Sequence, residues 1–217
     1  MCFSATASFA AAGALSAVGA VTLKETKQHS AIPFASIPLL FGIQQGIEGI
    51  VWLTFGYPMI HTIATFAYSF FSHILWPAYV PFAVLLIEKD PKRKKLLALL
   101  LGLGLVVSLY ILYFISTKGI TSEVINSCIA YHSPHLYQRL TLALYVAAAC
   151  GSCLVSSHKV INIFGLVMIA ALFVSAWFFI ANFVSVWCFF AAILSAIVYW
   201  QVRPQKKVKS KKQLSNR

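Results

Sequence analysis

The carboxylate of Glu48 is the group in this chain best placed to do chemistry, because it lies inside a long apolar run. The run reads PFASIPLLFGIQQGIEGIVWLTFG, from Pro33 to Gly56. A charged side chain near the centre of a bilayer costs about 3 kcal/mol or more, so such acids usually face a bundle interior and mark a functional site or an ion pair. At about 100° per residue, Gln44, Gln45 and Trp52 fall beside Glu48 on one polar arc of a helix. We predict that these four residues line a ligand site.

The next apolar run carries a polar stripe that should not face lipid. Its members fall within about 120° of one another around a helix axis; they are His61, Thr62, Thr65, Ser69, Ser72, His73 and Trp76. Pro77 removes the hydrogen bond that would otherwise reach the carbonyl of His73, so a kink and a freed acceptor are expected there. Two hydroxyls, an imidazole and a freed carbonyl would then share about one helical turn.

The two polar arcs are expected to meet. Only a few residues around Tyr57 and Pro58 join the two helices, which makes them antiparallel neighbours. At ~1.5 Å per residue, Glu48 lies at a depth comparable with residues 68–72, and His73 lies slightly deeper. The predicted binding set therefore adds Ser69, Ser72 and His73 to the four residues above, in a cavity in the outer half of the membrane.

Two kinds of chemistry fit this set. The first is binding or transport of a small polar solute or ion, with Glu48 and His73 as protonatable groups. The second is an intramembrane metal-dependent hydrolase, in which Glu48, His73 and Cys2 hold a divalent metal such as zinc. No residue is assigned a catalytic role. A third reading makes the protein structural or sensory, with Glu48 ion-paired to Arg139, whose long side chain can reach inward.

A polar loop from Lys118 to His135 contains Cys128, His132 and His135, which only loosely resemble metal-ligand spacing and are more typical of a polar loop. Other cysteines suggest packing: Cys150 and Cys153 form CGSC within a helix rich in small residues, and Cys188 is expected to be a small hydrophobe. Cys2 and Cys128 are predicted on the same outer side. A disulfide between them is conceivable in an oxidising compartment.

The elements that must position these groups are membrane helices. Of the 217 residues, 60% are hydrophobic and 10% are charged, which a soluble domain of this size could not shield from water. Apolar runs of roughly 20 residues are long enough to span a bilayer as helices. We predict an all-α bundle of seven spans over residues 1–202: Phe3–Leu23, Ile32–Phe55, Ile60–Ile87, Leu96–Ser116, Leu136–Val155, Val160–Ile180 and Phe183–Val202.

Small residues predict where these helices approach closely. Gly42, Gly46 and Gly49 fall within about 60° of one another and form a groove suited to helix contact. The first span is rich in alanine, glycine and serine, and it lacks the positive residues that precede the apolar core of a cleaved signal peptide. We expect it to be retained and buried among its neighbours.

Charge predicts the orientation in the membrane. Of the 17 lysines and arginines, all but Lys118 and Arg139 lie on one side of the predicted spans. The positive-inside rule makes that side cytoplasmic, with the amino terminus outside. The basic tail, residues 203–217, is predicted to be a disordered cytoplasmic segment that meets anionic lipid headgroups of the bilayer. No aromatic residue interleaves its lysines, so nucleic-acid binding is not expected.

The opening MCFSATASF and the string PFASIPLLFGIQQGIEGIVW resemble an uncharacterised family of bacterial multi-pass membrane proteins whose chains begin with nearly the same residues. The similarity covers mainly the first three spans. The family brings no assigned activity, and the resemblance implies a location in the bacterial inner (plasma) membrane.

Overall fold

The computed structural model describes residues 4–125, 127–133, 137–178 and 183–202. The helices, in chain order, are α1 (Ala5–Glu25), α2 (Ile32–Ala35), α3 (Ile37–Leu53), α4 (Pro58–Ser69), α5 (Trp76–Ile87), α6 (Pro91–Lys118), α7 (Gln138–Val155), α8 (Lys159–Phe178), α9 (Phe183–Ser195) and α10 (Val198–Val202). A 3₁₀ turn, His29–Ala31, precedes α2, and a π-helical turn, Phe70–Leu75, joins α4 to α5. A single antiparallel hairpin, β1 (Thr121–Ile125) and β2 (Cys128–His132), follows α6 in the described part of the chain.

In the described ranges, six helical segments are long and apolar enough to cross a membrane: Ala5–Glu25, His29–Leu53, Pro58–Ile87, Pro91–Lys118, Gln138–Val155 and Lys159–Phe178. Lipid offers no hydrogen bonds to the backbone, and continuous helices satisfy it internally. The all-α class is therefore correct, and the chain has the character of a multi-pass membrane protein. The seventh predicted span corresponds to α9 and α10, which form a shorter apolar segment, Ser185–Gln201.

The predicted glycine groove on α3 is confirmed as a helix contact. A Cβ added to Gly42 would lie 2.6 Å from the Ser16 hydroxyl oxygen, and one added to Gly49 would lie 2.7 Å from the ring of Phe9. A Cβ added to Gly19 of α1 would likewise lie 2.6 Å from the backbone nitrogen of Leu39. Small residues on both helices thus let α1 and α3 pack backbone against backbone.

The expectation that α1 is buried among its neighbours and does not face lipid is wrong for most of its surface. Only the face that carries Ser8, Leu15, Gly19 and Thr22 is buried. Val21, on another face, is 50% exposed. Since α1 packs mainly against α3, its remaining surface is left for lipid.

The disturbance predicted before Pro77 takes the form of the π-helical turn between α4 and α5. A proline withholds one backbone donor, and π-turns are a recognised way for a helix to accommodate such a defect. Side chains from neighbouring helices supply donors there: Tyr145 of α7 donates to the Ser72 carbonyl at 3.0 Å, and Ser108 of α6 donates to the Ile74 carbonyl at 2.6 Å. The acceptors observed are thus the carbonyls on either side of His73.

The segment predicted as a polar loop after α6 is a β-hairpin that packs onto the bundle. Glu123 pairs in register with Ala130, and Val124 with Ile129. Ile129 is fully buried in a cluster with Val51, Ala64 and Tyr68, which anchors β2 against α3 and α4. The apolar residues of CIAYH therefore make this segment part of the fold, although its ends are polar.

At the opposite end of the bundle, the connections after α5 and α7 are tied together by Glu88. One carboxylate oxygen of this fully buried acid accepts from the Lys89 and Asp90 backbone N–H groups and from the Ser157 hydroxyl, and the other accepts from the Ser157 N–H. Arg93 adds two bonds from its guanidinium to the carbonyls of Val155 and Ser156, at 2.7 and 2.9 Å. This end carries the lysines and arginines that follow α1, α5 and α7.

Candidate functional site

Glu48 is fully buried near the middle of the bundle, on the face of α3 that meets α9. The Ser185 hydroxyl donates to its Oε1 at 2.6 Å. Sequence reasoning looked for a partner on the neighbouring α4 and did not consider α9. A serine in an apolar run near the chain's end carries no signal that it will reach an acid 137 positions away.

The two glutamines beside Glu48 are also fully buried. Gln44 Oε1 accepts from the Trp76 indole N–H at 2.8 Å, and its amide lies next to the Tyr68 hydroxyl and the Cys188 sulfur. Among the described residues, Gln44 Nε2, both amide atoms of Gln45 and the Tyr68 hydroxyl lack a well-formed hydrogen bond. We call Gln44, Gln45 and Glu48 the polar cluster, and the Tyr68 hydroxyl lies beside it.

Trp52, the remaining predicted α3 residue, is partly buried one turn toward the end of the helix. It packs against the cluster that contains Val51 and Tyr68. Its ring meets Phe55 edge to face at 6.3 Å. The indole therefore lies between the polar cluster and the turn that joins α3 to α4.

The hydroxyl groups predicted on the third span make local hydrogen bonds. Ser69 donates to the Thr65 carbonyl of its own helix at 2.7 Å, and Ser72 bonds His73 Nδ1 at 2.7 Å. No hydrogen bond joins either serine or His73 to Glu48 within the described part of the chain. The predicted convergence of all seven residues is therefore not seen there, and His73 belongs to a different surface.

That surface is a pocket of about 270 Å³ between the π-helical turn, β2, α6, α7 and α9. We call it the outer pocket, since it lies at the end of the bundle that carries the hairpin. Its polar lining comes from Ser72, His73, Tyr131, Ser133, Gln138, Arg139 and Thr141. Its apolar lining comes from Ile111, Leu142, Tyr145 and Trp187. Sequence reasoning had placed His73 and Ser72 in a cavity but had not foreseen the contributions of α6 and α9.

Arg139 lies exposed at the first turn of α7, where it lines the outer pocket. No ion pair connects it with Glu48 among the described residues. The only ion pair recorded in those residues joins His132 to Glu123 across the hairpin at 2.7 Å, on the exposed surface. The predicted Glu48–Arg139 pair is therefore absent from the described contacts.

A pair of stacked tyrosines connects the outer pocket with the polar cluster. Tyr131 lines the pocket, and its ring stacks on that of Tyr68 with centroids 4.3 Å apart and planes 12° apart. Tyr68 in turn lies next to Gln44. The Tyr131 hydroxyl is buried and has no hydrogen-bond partner in the described part of the structure. Two aromatic rings therefore stand between a pocket with a basic residue and a buried group of amides and an acid.

The described residues contain no group of three His, Cys, Asp or Glu side chains that could hold a metal ion. Cys2, the third predicted ligand, and His135, from the predicted loop, lie outside the described residues. Cys150 and Cys153 are free and buried, as their packing role predicts, and Cys188 is free and buried as well. Cys128 is disulfide-bonded.

No curated protein and no solved structure matches this chain. A family model does match, over residues 1–213, which is nearly the whole length. The resemblance that the opening residues suggested is confirmed as membership of an uncharacterised family. The chain belongs to the family of unknown function DUF6629.

Proposed function

We propose that this membrane protein binds a small polar solute in the outer pocket, and that the polar cluster forms the inner part of the same site. The observation that carries the proposal is the Tyr131–Tyr68 stack, because one ring lines the pocket and the other touches the cluster. Movement of these two rings would expose the polar cluster to the outer pocket.

The polar cluster supports this proposal because burying polar groups without hydrogen bonds costs free energy. A buried amide without a hydrogen bond costs roughly 1–3 kcal/mol by mutational measures, and native proteins keep few such groups. Within the described part of the chain, Gln45 has an unbonded donor and an unbonded acceptor. Polar side chains retained at such cost inside membrane helices are functional by default. A bound solute or water would satisfy them.

We further propose that the outer pocket faces the side opposite the cytoplasm of a bacterial inner membrane, in a seven-span bundle with the amino terminus outside. Charge supports this orientation, since the hairpin end carries only Lys118 and Arg139 of the 17 basic residues. The disulfide at Cys128, in β2, supports it independently because disulfides persist in oxidising compartments. The basic tail then meets anionic headgroups on the cytoplasmic side.

The test is binding of small polar solutes to the full chain in an uncharged detergent. Thermal midpoints are measured against a panel of short alcohols, amides and carboxylates, since a ligand at 100 times its Kd adds about 2.7 kcal/mol to stability. At least one solute should raise the midpoint of the wild type. Gln45→Leu and Glu48→Gln should weaken its binding about tenfold or more, because the first removes a donor and an acceptor and the second replaces an acceptor oxygen with a donor.

Leu105→Ala is the matched control, since Leu105 is 47% exposed on the outer surface of α6 and lines neither the outer pocket nor the polar cluster. Its solute affinity should equal that of the wild type. Unchanged affinity in both cluster variants would remove the polar cluster from the site. A panel in which no solute shifts the wild type would overturn the proposal itself.

A further inference from the structure

We infer that the outer pocket selects solutes that carry an anionic group, a carboxylate or a phosphate, on a short apolar body. This inference rests on the proposed solute-binding function and names the chemical class of the ligand. It is carried by the charge of the pocket lining and by the apolar side chains that share this lining.

The described lining holds one permanently charged side chain, that of Arg139. Arg139 carries a permanent positive charge and a planar set of donors that matches a carboxylate or phosphate. His73 also lines the pocket and is buried, and its Nδ1 bonds the Ser72 hydroxyl. No Asp or Glu contributes to the described lining. An anion therefore meets donors here and no competing carboxylate.

The first turn of α7 adds to this preference. Gln138, Arg139 and Thr141 line the pocket from the amino-terminal end of an 18-residue helix. The residue that precedes this helix, Tyr137, makes no side-chain capping bond. Backbone N–H groups in the first turn of a helix are left without helical partners, and the helix dipole favours negative charge beside them. These groups reinforce the guanidinium, which remains the principal anion contact.

The apolar side chains of the lining can contact the apolar body of a ligand. The polar atoms of two rings in the lining are already used: the Tyr145 hydroxyl donates to the Ser72 carbonyl, and the Trp187 indole N–H donates to the Met168 carbonyl at 3.1 Å. Both rings therefore present mainly carbon to the pocket, together with Ile111 and Leu142. A volume of about 270 Å³ is close to the lower end of the range for small-molecule sites.

The residues of the polar cluster indicate where the anionic group of the ligand binds. The polar cluster beyond the Tyr131–Tyr68 stack contains the carboxyl group of Glu48 and no basic residue. The anionic group thus stays in the outer pocket next to Arg139, and only an uncharged polar part of a ligand would approach the cluster.

The experiment titrates three probes of equal chain length, hexanoate, hexyl phosphate and 1-hexanol, into the full chain in an uncharged detergent. Hexanoate and hexyl phosphate should bind at least tenfold more tightly than hexanol. Arg139→Gln should reduce that preference to less than about threefold, and Arg139→Lys should retain part of it. Lys118→Gln is the control: Lys118 is a basic residue at the same end of the bundle, but it lies over the Phe114 ring and outside the pocket.

Failure of this inference and failure of the proposed function are distinguishable. Equal binding of hexanol and hexanoate, sensitive to Gln45→Leu, would overturn the anion preference and keep the solute site. Anion preference that survives in Arg139→Gln, or disappears in Lys118→Gln, would also overturn the assignment. If none of the probes, and no solute of the earlier panel, binds the wild type, both proposals fall.

A last arm identifies the natural source of the anion. Hexanoate affinity is measured in nanodiscs of phosphatidylcholine with and without phosphatidylglycerol. Competition by phosphatidylglycerol would support the site with a lipid headgroup as its anion. Equal affinity in both discs would support the site with a free anion.

Discussion

Two fully buried acids, Glu48 and Glu88, show how differently a single carboxylate can be accommodated in this chain. Glu48 lies within the membrane-spanning part, where Ser185 donates to it. Glu88 lies just beyond the third span and accepts four hydrogen bonds, three from the backbone and one from a hydroxyl. Sequence reasoning singled out Glu48 because an acid among apolar residues is conspicuous. Glu88 stands in a charged stretch, EKDPKRKK, where nothing distinguishes it from a solvated residue.

The environment of Glu88 predicts a pH-dependent stability. Burial alone raises the pKa of this carboxyl, but the hydrogen bonds from Asp90, Ser157 and Lys89 outweigh it and lower the pKa from its ordinary value of 4.5 to about 2. A depressed pKa in the folded state means that the stabilisation is complete above pH 4.5 and is lost as the pH falls toward 2. A hydrogen bond to a charged group contributes about 2 kcal/mol to the stability of the folded protein.

Glu88→Gln should therefore lower the thermal midpoint at pH 7 by about 4–8 °C, and it should flatten the fall in midpoint between pH 4.5 and 2. The midpoint is measured in detergent across that range. Glu123→Gln serves as the control, since its exposed pair with His132 should contribute little. Identical pH profiles for wild type and Glu88→Gln would show that Glu88 does not link the two connections as described.

At the scale of elements, the segment Pro58–Ile87 contains a disturbed helical turn whose free backbone carbonyls accept hydrogen bonds from neighbouring helices. The π-helical turn Phe70–Leu75 precedes Pro77, and α6 and α7 each supply a hydroxyl donor to it. The close approach of α6 depends on a glycine: a Cβ added to Gly104 would overlap the carbonyl oxygen of Pro77. The sequence reveals the proline, but the donors that compensate for it come from positions without any recognisable pattern.

Tyr145→Phe should destabilise the π-helical turn. The variant removes the donor to the Ser72 carbonyl and leaves an acceptor unsatisfied in apolar surroundings, at a cost of about 1–3 kcal/mol. Hydrogen exchange of the backbone amides in Phe70–Leu75 should increase. Tyr113→Phe, on a residue 63% exposed on α6, should leave exchange in this turn as it is in the wild type. Equal exchange in Tyr145→Phe and the wild type would show that the tyrosine does not hold the turn.

Gly104→Ala should impair packing of α6 against α5. The clash is with backbone atoms, which cannot rotate away, and overpacking of this kind costs typically about 1–3 kcal/mol or more. Gly102→Ala is a matched control in the same helix, since a Cβ there meets nothing within 4 Å and alanine favours a helix over glycine by about 1 kcal/mol. The thermal midpoint of Gly104→Ala should fall well below that of Gly102→Ala. Equal midpoints would contradict the close contact.

At the scale of the whole molecule, the two ends of the bundle differ in charge and in chemistry. One end holds Glu88, Arg93 and the lysine-rich start of α6. The other holds the hairpin with its disulfide-bonded Cys128, the outer pocket and few basic residues. An orientation that places the first end in the cytoplasm satisfies both the charge bias and the redox requirement.

Single cysteines at the two ends should label from opposite sides. Val124→Cys, at a hairpin position 47% exposed, should react with a membrane-impermeant maleimide in intact cells. Lys94→Cys, at an exposed position of α6, should react only after the cells are lysed. The wild type provides the background, since Cys150, Cys153 and Cys188 are buried. The reverse pattern, or labelling of both variants in intact cells, would contradict the proposed orientation.

Particular residues show how far the sequence could predict the site. Membrane-spanning helices, the groove of Gly42, Gly46 and Gly49, and the disturbance before Pro77 follow from local rules of hydropathy, side-chain size and backbone chemistry. The partner of Glu48 does not, because Ser185 was one of many serines in apolar runs. Nor does the hairpin, since CIAYH is too short for its periodicity to distinguish a packed strand from a loop.

The sequence by itself determined that this chain forms apolar helices, where the small residues let two of them touch, and which connections carry positive charge, because each property resides in residues close together along the chain. Only the tertiary structure decided that Glu48 meets α9, that His73 and Arg139 line one pocket, and that stacked tyrosines lie between that pocket and the polar cluster. Those contacts depend on the rotation and order of packed helices. Neighbouring residues in the sequence do not encode that arrangement individually.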